Sequence, residues 1–224
     1  MAESGEDSFV LDFFGALTHH RNKEKTMGAF FSSLGRTIIA GVALLIVLLV
    51  LAGGYTGHWI QVGQQGWWLF AMRWLHVTAG VMWIGLLWYF NFVQTPSMPK
   101  IPDEQKPAVS KVIAPTALFW FRWAAMATIV LGLILATMNG YIGGALSLQK
   151  QYFAIGLGMW LGAIMWFNVW FVIWPNQKKV LGIVTVSPEE KAAAAKRAGM
   201  ASRINTMLSI PMLYCMVAQQ HGGF

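Results

Sequence analysis

The sequence predicts an all-α integral membrane protein, a bundle of about five transmembrane helices. Hydrophobic residues make up 56% of the 224 residues and charged residues only 11%, whereas roughly 25% are charged in ordinary soluble domains. The chain also contains several long apolar runs without Asp or Glu, each near the ~20 residues that a helix needs to cross a bilayer. A soluble core could hardly bury so many large apolar side chains, whereas lipid solvates them directly.

The first predicted span is the uncharged stretch 37–55, which is long enough for the hydrocarbon layer at about 1.5 Å per residue. Three further apolar runs are predicted to cross the membrane at about 70–92, 116–138 and 152–174. A fifth span, shorter and more polar, is predicted at about 203–221. It contains Pro211, which a membrane helix tolerates when neighbouring helices cover the freed backbone groups.

The distribution of Lys and Arg predicts the orientation of the bundle. Of the 16 basic residues, four precede the first span, three lie between the second and third, and six lie between the fourth and fifth or at its start. Lys150 alone lies in a connection on the opposite side. Because basic residues accumulate in cytoplasmic loops, we expect the N-terminus inside and the C-terminus outside a bacterial inner membrane. The net charge of +7 then needs no nucleic acid to explain it.

The segments outside the spans have distinct patterns. Residues 1–36 are predicted to form a cytoplasmic N-terminal segment, with Phe9, Phe13 and Leu17 on one face of a surface helix or in a loosely ordered tail. The remaining domain, 37–224, is the predicted bundle. Five of the eight prolines fall in 95–115, which favours an extended loop.

A capping box is expected near the C-terminal third of the chain. Ser187 is a candidate N-cap, Pro188 stands at the first helical position and Glu190 at the third. This pattern predicts a short cytoplasmic helix before the fifth span.

Spans two and four share a pattern. MWIGLLWYFN occupies 82–91 and MWLGAIMWFN occupies 159–168, and both spans run from outside to inside in the predicted topology. The sequence therefore predicts a parallel internal repeat. Asn91 and Asn168 recur in it and are expected to have structural roles. Where the first copy has His76, the second has a phenylalanine.

His76 is the histidine that lies well inside a predicted span, and an intramembrane ionisable residue indicates function by default. Arg73 and Gly80 share its helical face. This face could hold a haem b, with His76 as axial ligand, Gly80 leaving room for the porphyrin and Arg73 pairing with a propionate. The alternative is a neutral His76 bonded to a neighbouring backbone carbonyl, with Arg73 reaching outward to water.

A second haem ligand is expected on the same side of the membrane. His221 follows the fifth span and is the better candidate, and His58 lies in the connection after the first span. Together with His76 they could instead form a copper or other metal site without porphyrin. The single Cys215 excludes a disulfide and a covalent haem attachment, and the absence of acidic residues from the spans argues against paired-carboxylate chemistry.

Two motifs carry a family resemblance. RWLHVTAGVMWIGLLWYFNF at 73–92 and SRINTMLSIPMLYCMVAQQH at 202–221 resemble the membrane domain of the bacterial membrane-bound urate oxidase (urate hydroxylase) family. The resemblance implies a functional role for His76 and, in the matching segments, for Arg73, Asn205 and His221. A looser likeness of the His-containing helix is to small haem-containing protoporphyrinogen oxidases.

The resemblance also implies an activity and a partner. In the family a cytochrome c domain commonly follows the membrane domain and receives electrons from urate oxidation. This chain ends without such a domain, so we expect a separate electron acceptor such as a cytochrome c or a quinone. The function indicated is a haem-dependent membrane oxidoreductase or electron-transfer subunit. The alternative is a non-catalytic accessory subunit that stabilises a larger membrane complex.

Overall fold

The computed structural model describes residues 31–223, and every regular element in that part of the chain is helical. Four helical stretches are long and apolar enough to cross a membrane, namely Leu34–Thr56, Gln65–Lys100, Lys106–Met138 and Lys150–Val180. The prediction of an all-α, membrane-compatible chain is confirmed for these residues. The surface helix predicted around Phe9 to Leu17 lies outside the described residues.

Seven α-helices organise the described chain. They are α1 (Leu34–Thr56), α2 (Gln65–Trp88), α3 (Ala114–Met138), α4 (Ile142–Leu146), α5 (Phe153–Phe167), α6 (Trp174–Val180) and α7 (Pro188–His221). Three π-helical turns adjoin them at Tyr89–Gln94, Val109–Ile113 and Asn168–Ile173. Short helical turns complete the connections at Thr95–Ser97, Met98–Lys100, Lys106–Ala108 and Lys150–Tyr152.

The chain divides into two compact units, and the first ends at Val62. Its described part is α1 and the segment after it. The side chains of α1 are almost all exposed, as expected of a helix solvated by lipid. Gly53 is the buried residue of α1, because the Trp59 ring lies so close that a Cβ at this position would be 2.8 Å from Trp59 Cε3. The predicted domain boundary at residue 36 stays a prediction.

The second unit, from Gly63, is built from two closely packed helix pairs, α2 with α3 and α5 with α7. We call the region where the two pairs meet the packed half. Its buried core includes Leu87, Phe121, Ala125, Val169 and Ala201.

Polar side chains of α7 fasten the packed half. Asn91 donates to Ser202 Oγ at 2.8 Å and Asn168 donates to Asn205 Oδ1 at 2.9 Å. Asn205 in turn donates to the carbonyl oxygen of Met165 at 2.9 Å. The two asparagines of the predicted repeat thus both reach α7 from different helices, which is the structural role that we expected of them.

The proline-rich stretch 95–115 is not the extended loop that the sequence predicts. Apart from residues 101–105 it is helical, so that α2 is continued to Lys100 and α3 is preceded by helix from Lys106. The reason lies in the π-helical turns. Pro96, Pro115 and Pro175 each follow such a turn within two residues. A proline has no N–H and its ring crowds the carbonyl four residues earlier, and a wider turn gives that carbonyl room.

Helix α7 is one continuous helix of 34 residues. It begins at the predicted cap, where Ser187 Oγ accepts a hydrogen bond from the backbone N–H of Glu190 at 3.2 Å. The prediction of a separate short helix before the last span is therefore wrong, because the Ala-rich segment that joins the two contains no proline and only one glycine, Gly199, through which the helix continues. The predicted fifth span, 203–221, is the C-terminal part of α7. It does not reach the hydropathy of the four stretches above, and its crossing of the membrane stays a prediction.

Candidate functional site

The main candidate site is a cavity of about 840 Å³ between the two helix pairs of the second unit. We call the region around it the cavity half. Its walls come from α2, α3, α5 and α7 and are mainly apolar, as is typical of small-molecule and cofactor sites. A smaller depression of about 440 Å³ is lined by Lys150, Gln151 and Gln219 among others and brings together no comparable set of functional groups.

His76 lies on the cavity wall. Its Nδ1 is 2.9 Å from the carbonyl oxygen of Thr128 on α3. A carbonyl oxygen only accepts, so Nδ1 carries the proton, and in the neutral imidazole Nε2 keeps its lone pair. No residue among 31–223 forms a hydrogen bond with Nε2. A backbone carbonyl that holds one ring nitrogen while the other stays available is the usual arrangement of a metal-ligating histidine.

Gly132 on α3 makes this position of His76 possible. A Cβ at residue 132 would lie 2.9 Å from His76 Cε1 and 3.1 Å from Nδ1, closer than side chains pack. Only glycine therefore admits the imidazole against α3. The sequence gives no sign of this contact, because the partner is 56 positions away and one glycine among 23 carries no pattern.

Arg73 and Gly80 lie on the same wall, as their spacing from His76 predicts. A Cβ at Gly80 would meet only the Thr128 methyl group, at 3.9 Å, so the cavity is open there. Tyr141, between α3 and α4, also lines the cavity. Burial raises the pKa of Tyr141 above its usual value, and the positive charge of Arg73 opposes the rise. The phenol therefore stays protonated at neutral pH and can donate a hydrogen bond beside the guanidinium.

Two buried indole groups lie on the wall: Trp83, whose spacing from His76 predicts the same helical face, and Trp166, which was not predicted from the sequence. Trp83 is 1% exposed, and the Nε1 atoms of Trp83 and Trp166 are buried without a hydrogen-bond partner. Trp88, by contrast, donates to Ser209 Oγ at 3.0 Å. A buried unpartnered donor costs about 1–3 kcal/mol. Because neither Nε1 is accessible, these indoles contribute apolar ring surface to the wall and no hydrogen-bond donor.

His221 is not brought to His76 by this structure, and His58 belongs to a different unit. His221, at the end of α7, is exposed, and its Nδ1 lies 3.0 Å from the carbonyl oxygen of Val217. It does not line the cavity, although its neighbour Gln220 does. His58 belongs to the first unit, where its Nδ1 lies 2.9 Å from the carbonyl oxygen of Thr56. Within residues 31–223 no three His, Cys, Asp or Glu side chains are grouped so that they could hold a metal ion.

The arrangement fits a haem better than a bare metal ion. One histidine offers a free ring nitrogen, the surrounding wall is large and apolar, and a guanidinium and a phenol lie together on the wall. A porphyrin needs one or two axial ligands and partners for its carboxylates, whereas an isolated metal ion needs three or four protein ligands.

Comparison with known proteins gives one match. Residues 144–223, which run from α4 to the end of α7, match a protein-family model described as Urate oxidase N-terminal. No curated protein and no solved structure matches the chain. The matched region includes Trp166 and Gln220 of the cavity wall, whereas Arg73 and His76 precede it. The match thus supports a urate-oxidase-like relationship, and it rests on the C-terminal helices.

Proposed function

We propose that the protein is a membrane-bound oxidoreductase of the urate-oxidase type, which binds haem b in the cavity with His76 as axial ligand. The observation that carries the proposal is the apolar cavity of about 840 Å³, on whose wall His76 lies with Nε2 free. The bond from Nδ1 to the Thr128 carbonyl is also what a purely structural His76 predicts, so the cavity distinguishes the two interpretations. The match of residues 144–223 to the urate oxidase N-terminal family supports the same reading.

In this proposal each wall residue has a separate task. The Thr128 carbonyl fixes the ring orientation and the tautomer of His76. Arg73 and Tyr141 bind the propionates, because a guanidinium and a phenol both donate hydrogen bonds to carboxylates. Gly80 leaves room beside the imidazole. When bound, the haem supplies one-electron transfer, and the helices exclude water from it.

The second axial position remains a choice between side chains. His221 is exposed at the end of α7 and would reach the cavity only after a change of its conformation. The thioethers of Met159 and Met216 line the cavity and are alternative ligands, since haem iron is also held by His and Met together.

The proposed orientation places the packed half toward the cytoplasm of a bacterium and the cavity toward the outer side of the inner membrane. It is supported by the accumulation of Lys and Arg at the cytoplasmic end of the predicted spans. Electrons would then leave the haem for a quinone in the bilayer or for a separate cytochrome c on the outer side.

A haem assay tests the proposal. The wild-type protein, expressed with ample haem and purified in mild detergent, is expected to contain about one b-type haem per chain in a pyridine haemochrome assay. His76→Ala should lose most of this haem, because it loses an axial ligand. Asn176→Ala is the control: it removes a polar side chain of α6 that does not line the cavity and should keep full haem content.

Two results would contradict the proposal. One is wild-type protein without porphyrin, and the other is His76→Ala with full haem content and an unchanged spectrum. If haem is bound as expected, urate-dependent reduction of the haem, followed by absorbance, tests the urate-oxidase-type activity separately from cofactor binding.

A further inference from the structure

A cluster of cationic and donor groups lies between α3 and the segment from Asn168 to α6, apart from the cavity. The guanidinium carbon of Arg122 lies 3.3 Å from the ring centroid of Trp174. Lys178 Nζ lies 5.9 Å from the same centroid. Two positive charges therefore share one indole ring. No carboxylate among residues 31–223 pairs with either of them.

Two donors of this cluster have no acceptor. Arg122 Nη1 and Trp170 Nε1 are both buried without a hydrogen-bond partner. Trp170 precedes Trp174 by one helical turn. The centroid of the Trp170 ring lies 5.5 Å from that of Trp123, the residue that follows Arg122 in the sequence. The cluster thus holds a guanidinium, an ammonium and an indole N–H. All three are donors that favour an anion.

The position of the cluster along the helices indicates which anion is near. Arg122 lies 16 residues before the end of α3 at Met138, which is roughly 24 Å along the helix axis. Trp174 lies 21 residues after the start of α5 at Phe153, or roughly 32 Å. Against a hydrocarbon layer ~30 Å thick, these distances place Trp174 at the edge of the layer and Arg122 just inside it, at the end of the bundle where Lys178 and Lys179 follow. From there the long Arg122 side chain can extend to the headgroups.

We infer that this cluster is a binding site for the phosphate group of an anionic phospholipid. Arg122 would bind the phosphate through the Nη1 hydrogen that has no partner, since guanidinium groups bind phosphate oxygens in a fixed planar geometry. Trp170 Nε1 would donate a second hydrogen bond, and Lys178 would add charge as a flexible ammonium. The site is independent of the proposed haem function.

Lipid binding to the wild-type protein tests the inference. Native mass spectrometry after titration with phosphatidylglycerol or phosphatidylcholine compares an anionic lipid with one whose choline cation would meet Arg122 and Lys178. The wild-type protein should bind phosphatidylglycerol about tenfold or more tightly, because both lipids offer a phosphate but only phosphatidylcholine carries a cation that Arg122 and Lys178 repel. Arg122→Gln should lose this preference. Lys111→Gln is the control, because it removes an exposed charge from the π-helical turn before α3.

Trp170→Phe keeps the charge and an aromatic ring but removes the N–H donor, and it decides the matter if Arg122→Gln does not fold. It should weaken phosphatidylglycerol binding by about three- to tenfold. Equal binding of both lipids by the wild type, or an unchanged preference in folded Arg122→Gln or Trp170→Phe, would overturn the inference. A parallel titration with inorganic phosphate in phosphatidylcholine nanodiscs distinguishes the source. Saturable, Arg122-dependent binding of free phosphate without lipid preference would assign the site to a soluble ligand and overturn the lipid assignment.

Discussion

The asparagines of the packed half and the histidine of the cavity half use their hydrogen-bonding groups in different ways. In the packed half, Asn91, Asn168 and Asn205 all form hydrogen bonds between helices. In the cavity half, His76 keeps one ring nitrogen free and Trp83 has no partner for its indole N–H. The comparison separates two uses of polar groups in a membrane helix. The asparagines of the packed half hold the helices together, and His76 of the cavity half keeps Nε2 available to a ligand.

Asn205→Ala should break the packed half and have the largest effect on stability. Asn205 is fully buried, accepts from Asn168 and donates to the Met165 carbonyl. Its loss leaves both partners unsatisfied, at about 1–3 kcal/mol in free energy of unfolding. Denaturant unfolding in detergent micelles measures this.

Asn176→Ala is the matched control for Asn205→Ala. Asn176 donates only to the Val172 carbonyl on its own helical stretch, so the free energy of unfolding should change by no more than about 0.5 kcal/mol. Equal losses in the two variants would show that the interhelical bonds do not distinguish the packed half.

Gly132→Ala should disturb the cavity half with a smaller loss of stability. The new methyl group would overlap His76 Cε1, so the imidazole must move away from the Thr128 carbonyl. We expect about 1–2 kcal/mol of destabilisation from overpacking, together with reduced haem content and a changed haem spectrum.

Gly199→Ala on α7 separates overlap from the simple addition of a methyl group. A Cβ at Gly199 meets nothing within 4 Å and Gly199 does not line the cavity, and alanine favours the helix by up to about 1 kcal/mol. This variant should keep its haem and be as stable as the wild type or more so. Normal haem content in both glycine variants would contradict the view that Gly132 positions His76.

The parts of the structure that depend on local composition could be predicted from the sequence. The four long apolar helices follow from the length and hydropathy of their segments. The cap at Ser187 follows from the spacing of Ser, Pro and Glu. His76, Arg73 and Gly80 meet on one wall because their spacing places them on one helical face.

The parts that depend on distant contacts could not be predicted. The partner of His76 is the Thr128 carbonyl, and a backbone group has no sequence signal. The composition of 95–115, with its five prolines, indicates a loop. In the structure, π-helical turns before Pro96 and Pro115 allow the chain to remain helical at these prolines. Whether the indole N–H of Trp83 finds a hydrogen-bond acceptor depends on which side chains the neighbouring helices place beside it. That arrangement is known only once the helices are packed.

A substitution at the start of α7 should have the smallest effect on stability. It also gives an independent check on whether the packed half and the cavity half are separate. Hydrogen bonds from the backbone N–H of Glu189 and from the Ser187 side chain hold the pKa of the Glu189 carboxyl below its usual value of 4.5. Because the pKa is lowered in the folded state, the ionised carboxylate stabilises the fold above about pH 4.5, and this contribution is lost as the pH falls through the lowered pKa.

Glu189→Gln should therefore flatten the decline in the melting temperature between about pH 5 and about pH 3, measured by thermal unfolding in detergent. Glu104→Gln, another exposed glutamate, is the charge-matched control. Glu189 lies at the N-terminal end of α7, whereas the residues that α7 contributes to the cavity wall begin at Met212. If the two halves are separate, the substitution should leave haem content unchanged at every pH. If haem content and melting temperature shift together, ionisation of Glu189 at the N-terminal end of α7 affects the cavity. The packed half and the cavity half would then be coupled.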